Sequence, residues 1–180
     1  LIRAAVSSAV VEPAQIIVSS RSGDRKDLAG VPVKWTQDNA ELARQSDVVI
    51  LSVGPTQFRG VDLDLGGKLV ISVMAGVGCA SIAARTGANR IIRAMPNAAA
   101  AIGQSFTPWF AWPAATPEDR MLTQHFFGAS GEAAEVPEEH YIDYCIGLSG
   151  SGAAFPALLA EAMIAEAVAA RPGEVIWDAC

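Results

Sequence analysis

Four short stretches gather small, hydroxyl-bearing and amide side chains of the kind that let a backbone come close to a ligand. They are Val18-Ser19-Ser20-Arg21, Ser52-Val53-Gly54-Pro55-Thr56-Gln57, Val73-Met74-Ala75-Gly76-Val77-Gly78 and Arg93-Ala94-Met95-Pro96-Asn97. Each closes an apolar run, so each marks the end of an expected strand. Ligands of parallel α/β sheets sit outside the carboxyl ends of the strands, which makes these corners the places to look for chemistry. At the first, an enzyme preferring NAD carries an Asp or Glu for the ribose hydroxyls. Arg21 with Ser19 and Ser20 suits a 2′-phosphate instead, which favours NADP and leaves NAD possible. The plainer alternative is a solvated loop. At the second and third, Ser52, Val53, Gly54 and Pro55, then Ala75 and Gly76, let backbone amides approach a ribose or nicotinamide, although any strand-to-helix turn asks for the same small residues. At the fourth, Met95 leads into Pro96, which fixes the exit angle, and Asn97, which offers an amide to a bound ring; alone, the pair also reads as an ordinary turn.

A fifth stretch, Gly147-Leu148-Ser149-Gly150-Ser151-Gly152, precedes a long alanine-rich helix. Amides of a Gly-Ser-Gly loop at a helix N-terminus form a natural carboxylate or phosphate site, and a flexible turn for close helix packing is the alternative. A hydrolase elbow needs G-x-S-x-G after a strand, and that pattern is not met.

Other reactive side chains are sparse. Cys79, Cys145 and Cys180 are widely spaced and form no C-x-x-C pair, which argues against a disulfide framework or thiolate metal site and suits a reducing cytoplasm. His125 and His140 lack a second ligand at metal-binding spacing, so no metal is expected. The net charge is −6 with Lys and Arg scattered, leaving no basic stripe for nucleic acid. The stretch Ala153 to Ala170 is interrupted by Glu161 and Glu166 and reads as too polar for a bilayer, so no membrane partner is expected. Leu1, Ile2, Val6 and Val10 stand at helical spacing, as though a helix were entered partway, and no signal-peptide pattern is recognisable there.

Strands are expected at 15–21, 31–35, 47–53, 68–76 and 89–96. The runs 47–53 and 68–76 are apolar enough to be central strands buried on both faces. Helices are expected at 38–47, with Asp38 as N-cap, and at 79–87, closed by Gly87. This alternation argues for an α/β, doubly wound Rossmann-type sheet. It continues through an aromatic strand at 105–112, a helix at 116–131 capped by Thr116, and a strand at 132–137. From Glu138 onward the chain reads as all-helical, so the expected division is a dinucleotide-binding domain at 1–137 and the start of a helical domain at 138–180.

In order and spacing, these motifs resemble the pyrroline-5-carboxylate reductases over essentially the whole chain. Arg93-Ala94-Met95-Pro96-Asn97 and Leu148-Ser149-Gly150-Ser151-Gly152 carry the resemblance most strongly. The resemblance implies reduction of Δ1-pyrroline-5-carboxylate to L-proline with NADPH, or NADH, and C-terminal helices that interlock with those of a partner subunit in a homodimer or larger homo-oligomer. Ser19, Ser20 and Arg21 then correspond to the adenosine-phosphate corner and Asn39 to the adenine end. Ser52 to Pro55 with Ala75 and Gly76 correspond to the walls along the dinucleotide, and Met95, Pro96 and Asn97 to the edge of the nicotinamide pocket. Ser151 and Gly152 are placed to line the pocket of a cyclic imine. The resemblance puts the glycine-rich phosphate loop ahead of Leu1 and the proton donor beyond Cys180, so no catalytic residue is assigned. The family usually continues Met-Pro-Asn with Thr or Ser and then Pro, where Ala98 and Ala99 stand here. It follows the Gly-Ser-Gly loop with Pro-Ala-Tyr, where Ala153-Ala154-Phe155 stand. These departures keep open a reductase of another cyclic imine or small carbonyl, and a noncatalytic nucleotide-binding homologue.

Overall fold

The computed structural model describes residues 1–20, 25, 28–152 and 154–170. Helix α1 (Ile2–Ser7) leads into β1 (Ile17–Ser19), which pairs in parallel with β2 (Lys34–Thr36). Helix α2 (Asn39–Gln45) begins at Asp38, whose carboxylate accepts from the amides of Ala40 and Glu41. That cap satisfies two of the helix's first orphan donors, as the sequence leads one to expect. Strand β3 (Val48–Leu51), helix α3 (Pro55–Phe58), strand β4 (Leu69–Ser72), helix α4 (Cys79–Thr86) and strand β5 (Arg90–Ala94) follow. Gly87 ends α4 in the left-handed conformation, φ 67°.

Strands β3, β4 and β5 run parallel and open a five-stranded sheet completed by β6 (Ser105–Ala111) and β7 (Gly131–Glu135). Every residue of β4 is buried, and alternate side chains go to opposite faces. Val70 packs with Leu51, Ile82 and Ile91 on the side of α4, whereas Leu69 and Ile71 pack with Ile92, Trp109 and Phe127 on the other. The two cores are the reason for a continuous apolar run: a strand covered on both faces has no wet side. Strand β3 departs from this expectation. It is the edge of the described sheet, and Ile50 is 37% exposed between buried Val49 and Leu51.

β5 and β6 are joined by a short 3₁₀ turn (Ala98–Ile102) instead of a crossover helix, so they pair antiparallel. Helix α5 (Pro117–Gly128) then carries the chain back, so β7 adds parallel to β6. Gly131 starts β7 at φ 140°, and a Cβ there would overlap the backbone of Ser105. Thr116 and Asp119 cap α5 reciprocally, the Asp119 amide donating to Thr116 Oγ1 and the Thr116 amide to Asp119 Oδ2. The same carboxylate takes two bonds from the Arg90 guanidinium and so ties α5 to the start of β5.

Beyond β7, α6 (His140–Cys145), a π turn (Ile146–Gly150) and α7 (Ala154–Ala170) follow one another. The helical run His140–Ala169 is long and apolar enough, by length and composition alone, to cross a membrane, and its most apolar window has no buried share. Glu161 and Glu166 therefore do not make the stretch too polar by that measure, contrary to the sequence reading.

Asp119 yields a pH prediction. The Arg90 hydrogen bonds hold its carboxyl below the ordinary value of 3.8. Its stabilisation is complete above the unfolded-state value and is lost as pH falls through the lower, folded one. Asp119→Asn should cost roughly 2 kcal/mol near neutrality, because a buried charge-assisted bond loses its acceptor. Urea titrations at a series of pH values should show this deficit shrinking as the medium is acidified below about pH 4.

Candidate active site

Register fixes where the corners emerge. Leu51 pairs with Ser72 and Ser72 with Arg93, so the three parallel strands end level with one another. Their corners open on one rim of the sheet. Ser52, Val53, Gly54 and Pro55 are exposed there, as are Ala75 and Gly76. Gly76 adopts φ 68°, and among the described residues no further neighbour comes within 4 Å of where a Cβ would stand, so the backbone is approachable. An open cleft of about 540 Å³ lies between Pro55, Phe58 and Arg59 on one side and Gly76, Ser81 and Arg85 on the other.

The structure brings two predicted residues into direct contact. Ser19 Oγ, at the end of β1, lies 2.6 Å from Asn39 Oδ1, at the start of α2, and donates to it. Ser20 follows, half-buried. Arg21 lies outside the described residues.

Past β5, the Met95 amide donates to Pro108 O, and the Met95 side chain is buried. Pro96 and Asn97 are half-buried. Asn97 is less free than its position suggests. Its Oδ1 accepts from the Ala99 amide at 3.1 Å and caps the 3₁₀ turn, while its own amide donates to Ser105 Oγ. Nδ2 has no hydrogen-bond partner among the described residues, and Oδ1 keeps one lone pair.

Arg93 carries no role of its own in the sequence motif, yet it organises this corner. Its side chain is 3% exposed. Nη1 donates to Glu139 Oε1 at 3.0 Å and Nη2 to Asp143 Oδ1 at 2.8 Å. Glu139 Oε1 also accepts the Cys79 amide at 2.7 Å and so caps α4, whose own N-cap, Gly78, has no side chain to do so. Burial disfavours the charged guanidinium, but the bonds to Asp143 and Glu139 outweigh it and hold the Arg93 pKa above its ordinary value. The Cys79 thiol is pushed far up by burial and by the adjacent Glu139 carboxylate, which makes it an inert core thiol. A signal for the cluster was present: one arginine inside the apolar run Ile91-Ile92-Arg93-Ala94, and two acids four apart at the start of a helix.

The Gly-Ser stretch differs from expectation. Residues 146–150 are not a loop ahead of a helix N-terminus but a π turn, a feature frequent at functional sites. The Ser151 amide donates to Ile146 O at 2.8 Å and is not available to an anion, while the Ser151 side chain is exposed. A Cβ at Gly152 would overlap the carbonyl oxygens of Leu148 and Gly147. Glycine is what permits that close approach. Gly152→Ala should therefore expose the amides of 146–155 to faster hydrogen exchange while those of β4 and β5 stay protected.

Comparison with known proteins gives consistent likenesses. Residues 1–76 match the family model described as NADP oxidoreductase, coenzyme F420-dependent. A pyrroline-5-carboxylate reductase of Synechocystis is 37% identical over 157 residues, covering 84% of this chain. The chain spans 58% of that relative's length. A pyrroline-5-carboxylate reductase structure from Coxiella burnetii superposes with a TM-score of 0.80 at 32% identity, covering 97% of this chain and 68% of that one. A Plasmodium falciparum pyrroline carboxylate reductase, solved with NADP bound, has a TM-score of 0.81 at 20% identity over 93% of this chain and 64% of its own, a likeness of fold. At this identity and coverage the chain belongs to the pyrroline-5-carboxylate reductase family.

Proposed function

We propose that the protein reduces Δ1-pyrroline-5-carboxylate to L-proline with NADPH, a step of proline biosynthesis. The observation that carries this reading is the level register Leu51, Ser72 and Arg93 in a chain of this family. It sets the corner Met95–Asn97 on the same rim as Ser52–Pro55 and Ala75–Gly76. These residues suit a dinucleotide: the approachable backbone at Gly76 and the unpartnered Asn97 Nδ2 are what a ribose and a carboxamide require. Ser19, Ser20 and Arg21 take the adenosine end and its 2′-phosphate, with Asn39 held beside Ser19 by its hydroxyl.

NADPH, when bound, supplies the hydride. The imine carbon gains it, the C=N electron pair passes to nitrogen, and one proton completes the saturated amine. A protonated imine is already electrophilic, so the side chains chiefly hold two rings in register and exclude water. Met95 and Pro96 wall one edge, Asn97 orients the ring, and Ser151 with Gly152 borders the imine. Residues 1–137 serve the dinucleotide and 138–180 begin the helical part.

The same reading accounts for α7. Phe155, Leu158, Leu159, Met163, Ile164 and Val168 are all exposed, and they surround the helix. A helix apolar all round is a buried helix, and here helices of a second copy would cover it in a homodimer or larger homo-oligomer in the cytoplasm. Glu161 and Glu166 favour that cover over lipid, since each ionised carboxylate costs about 2.5 kcal/mol or more at a bilayer centre.

A second reading, reduction of another cyclic imine, is favoured by Ala98, an exposed methyl where the family usually carries a hydroxyl.

The test is nucleotide consumption with pyrroline-5-carboxylate in the full-length protein, NADH run alongside. Turnover to proline with NADPH preferred is expected, and Arg21→Ala should reduce the preference about tenfold, the worth of one lost charge-assisted bond. Tight NADPH binding without turnover would move the assignment to the second reading.

A further inference from the structure

We infer that Arg93 is a positioning residue that joins the two halves of the proposed site through Glu139 and Asp143. The inference rests on the reductase reading for its kinetic consequence but not for its structural one. Three elements meet at this one guanidinium. Strand β5 supplies Arg93 two residues before Met95. Helix α6 supplies Asp143, and Glu139 stands immediately ahead of it, eight or more residues before Ser151. Helix α4 joins through the Cys79 amide on Glu139 Oε1.

The geometry is demanding. Two separate nitrogens of one planar group reach two separate carboxylates at 3.0 and 2.8 Å. Nε is buried and has no hydrogen-bond partner among the described residues. A buried donor left unpaired is costly, so the other two bonds hold the side chain where it is. Lysine retains the charge but, as a compact point charge on a flexible stem, cannot present a rigid fork to both acids. Arg93 therefore sets where α6 and the π turn lie relative to Met95–Asn97. The corners on β1 and β3 make no bond to this cluster among the described residues, and the corner after β4 touches it only through the Cys79 amide.

The experiment compares Arg93→Lys and Asp143→Asn with wild type in the full-length protein by three readouts: NADPH affinity by fluorescence, kcat and KM for pyrroline-5-carboxylate, and amide hydrogen exchange. Asp143 is 54% exposed, so its variant should fold even if Arg93→Lys does not. We expect NADPH affinity within about twofold of wild type, kcat lower by about tenfold or more, and exchange across 140–152 faster by a similar factor, with 69–92 unchanged. The inference is overturned if both variants keep wild-type exchange across 140–152, or if NADPH affinity, kcat and protection of 69–92 fall together as in plain destabilisation. Should wild type itself fail to turn over this imine, the reductase reading falls, and the exchange pattern still decides the role of Arg93.

Discussion

The rest of the structure depends on the burial of Leu69–Ser72 between two parallel neighbours. A strand with no wet face must satisfy every backbone group through its ladders, and it cannot slip by one residue without exchanging the two cores. Leu69 and Ile71 belong to one core and Val70 to the other, so the pairings Leu51 with Ser72 and Ser72 with Arg93 are held by hydrophobic burial on both sides. The common rim of the three corners is a consequence. Small exposed residues there decide nothing alone. What turns them into a candidate site is that apolar packing elsewhere brings them out at one level.

Much of this was legible in the residues. The apolar runs, the Asp38 and Thr116 caps, and the Gly87 stop each rest on local chemistry, and the structure has each where that chemistry puts it. What was not legible depends on partners distant in sequence. Strand β3 reads as central because its composition is that of a buried strand, yet Ile50 opens at the edge of the described sheet. Glycines and serines at 147–152 read as a loop, because local propensity cannot register that Gly152 lets the chain pass over the carbonyls of Leu148 and Gly147. The antiparallel turn from β5 to β6 is likewise settled by pairing, since both strands carry the same kind of pattern.

Arg93 shows the limit most plainly. A buried guanidinium costs several kcal/mol unless its partners are well placed, and apolar residues of equal volume would often stabilise as much. Its partners lie 46 and 50 residues away, so no window of sequence holds the whole cluster. Ordinary core packing would not demand it. The arrangement makes sense as specificity of placement, with one charge group selecting a single relation among β5, α4 and α6.

The Ala98-Ala99 departure has a physical counterpart at the opposite end of the same corner. Proline has no N–H, so a chain with proline at 99 could not offer the bond that Ala99 makes to Asn97 Oδ1. In this protein the amide oxygen accepts the bond that caps the 3₁₀ turn, and Nδ2 has no partner among the described residues. That bond fixes which way the amide faces, with one lone pair of Oδ1 taken, one left, and both Nδ2 protons unpaired among the described residues. The corner that carries the family resemblance most strongly is thus held by a backbone bond that a proline at 99 would remove.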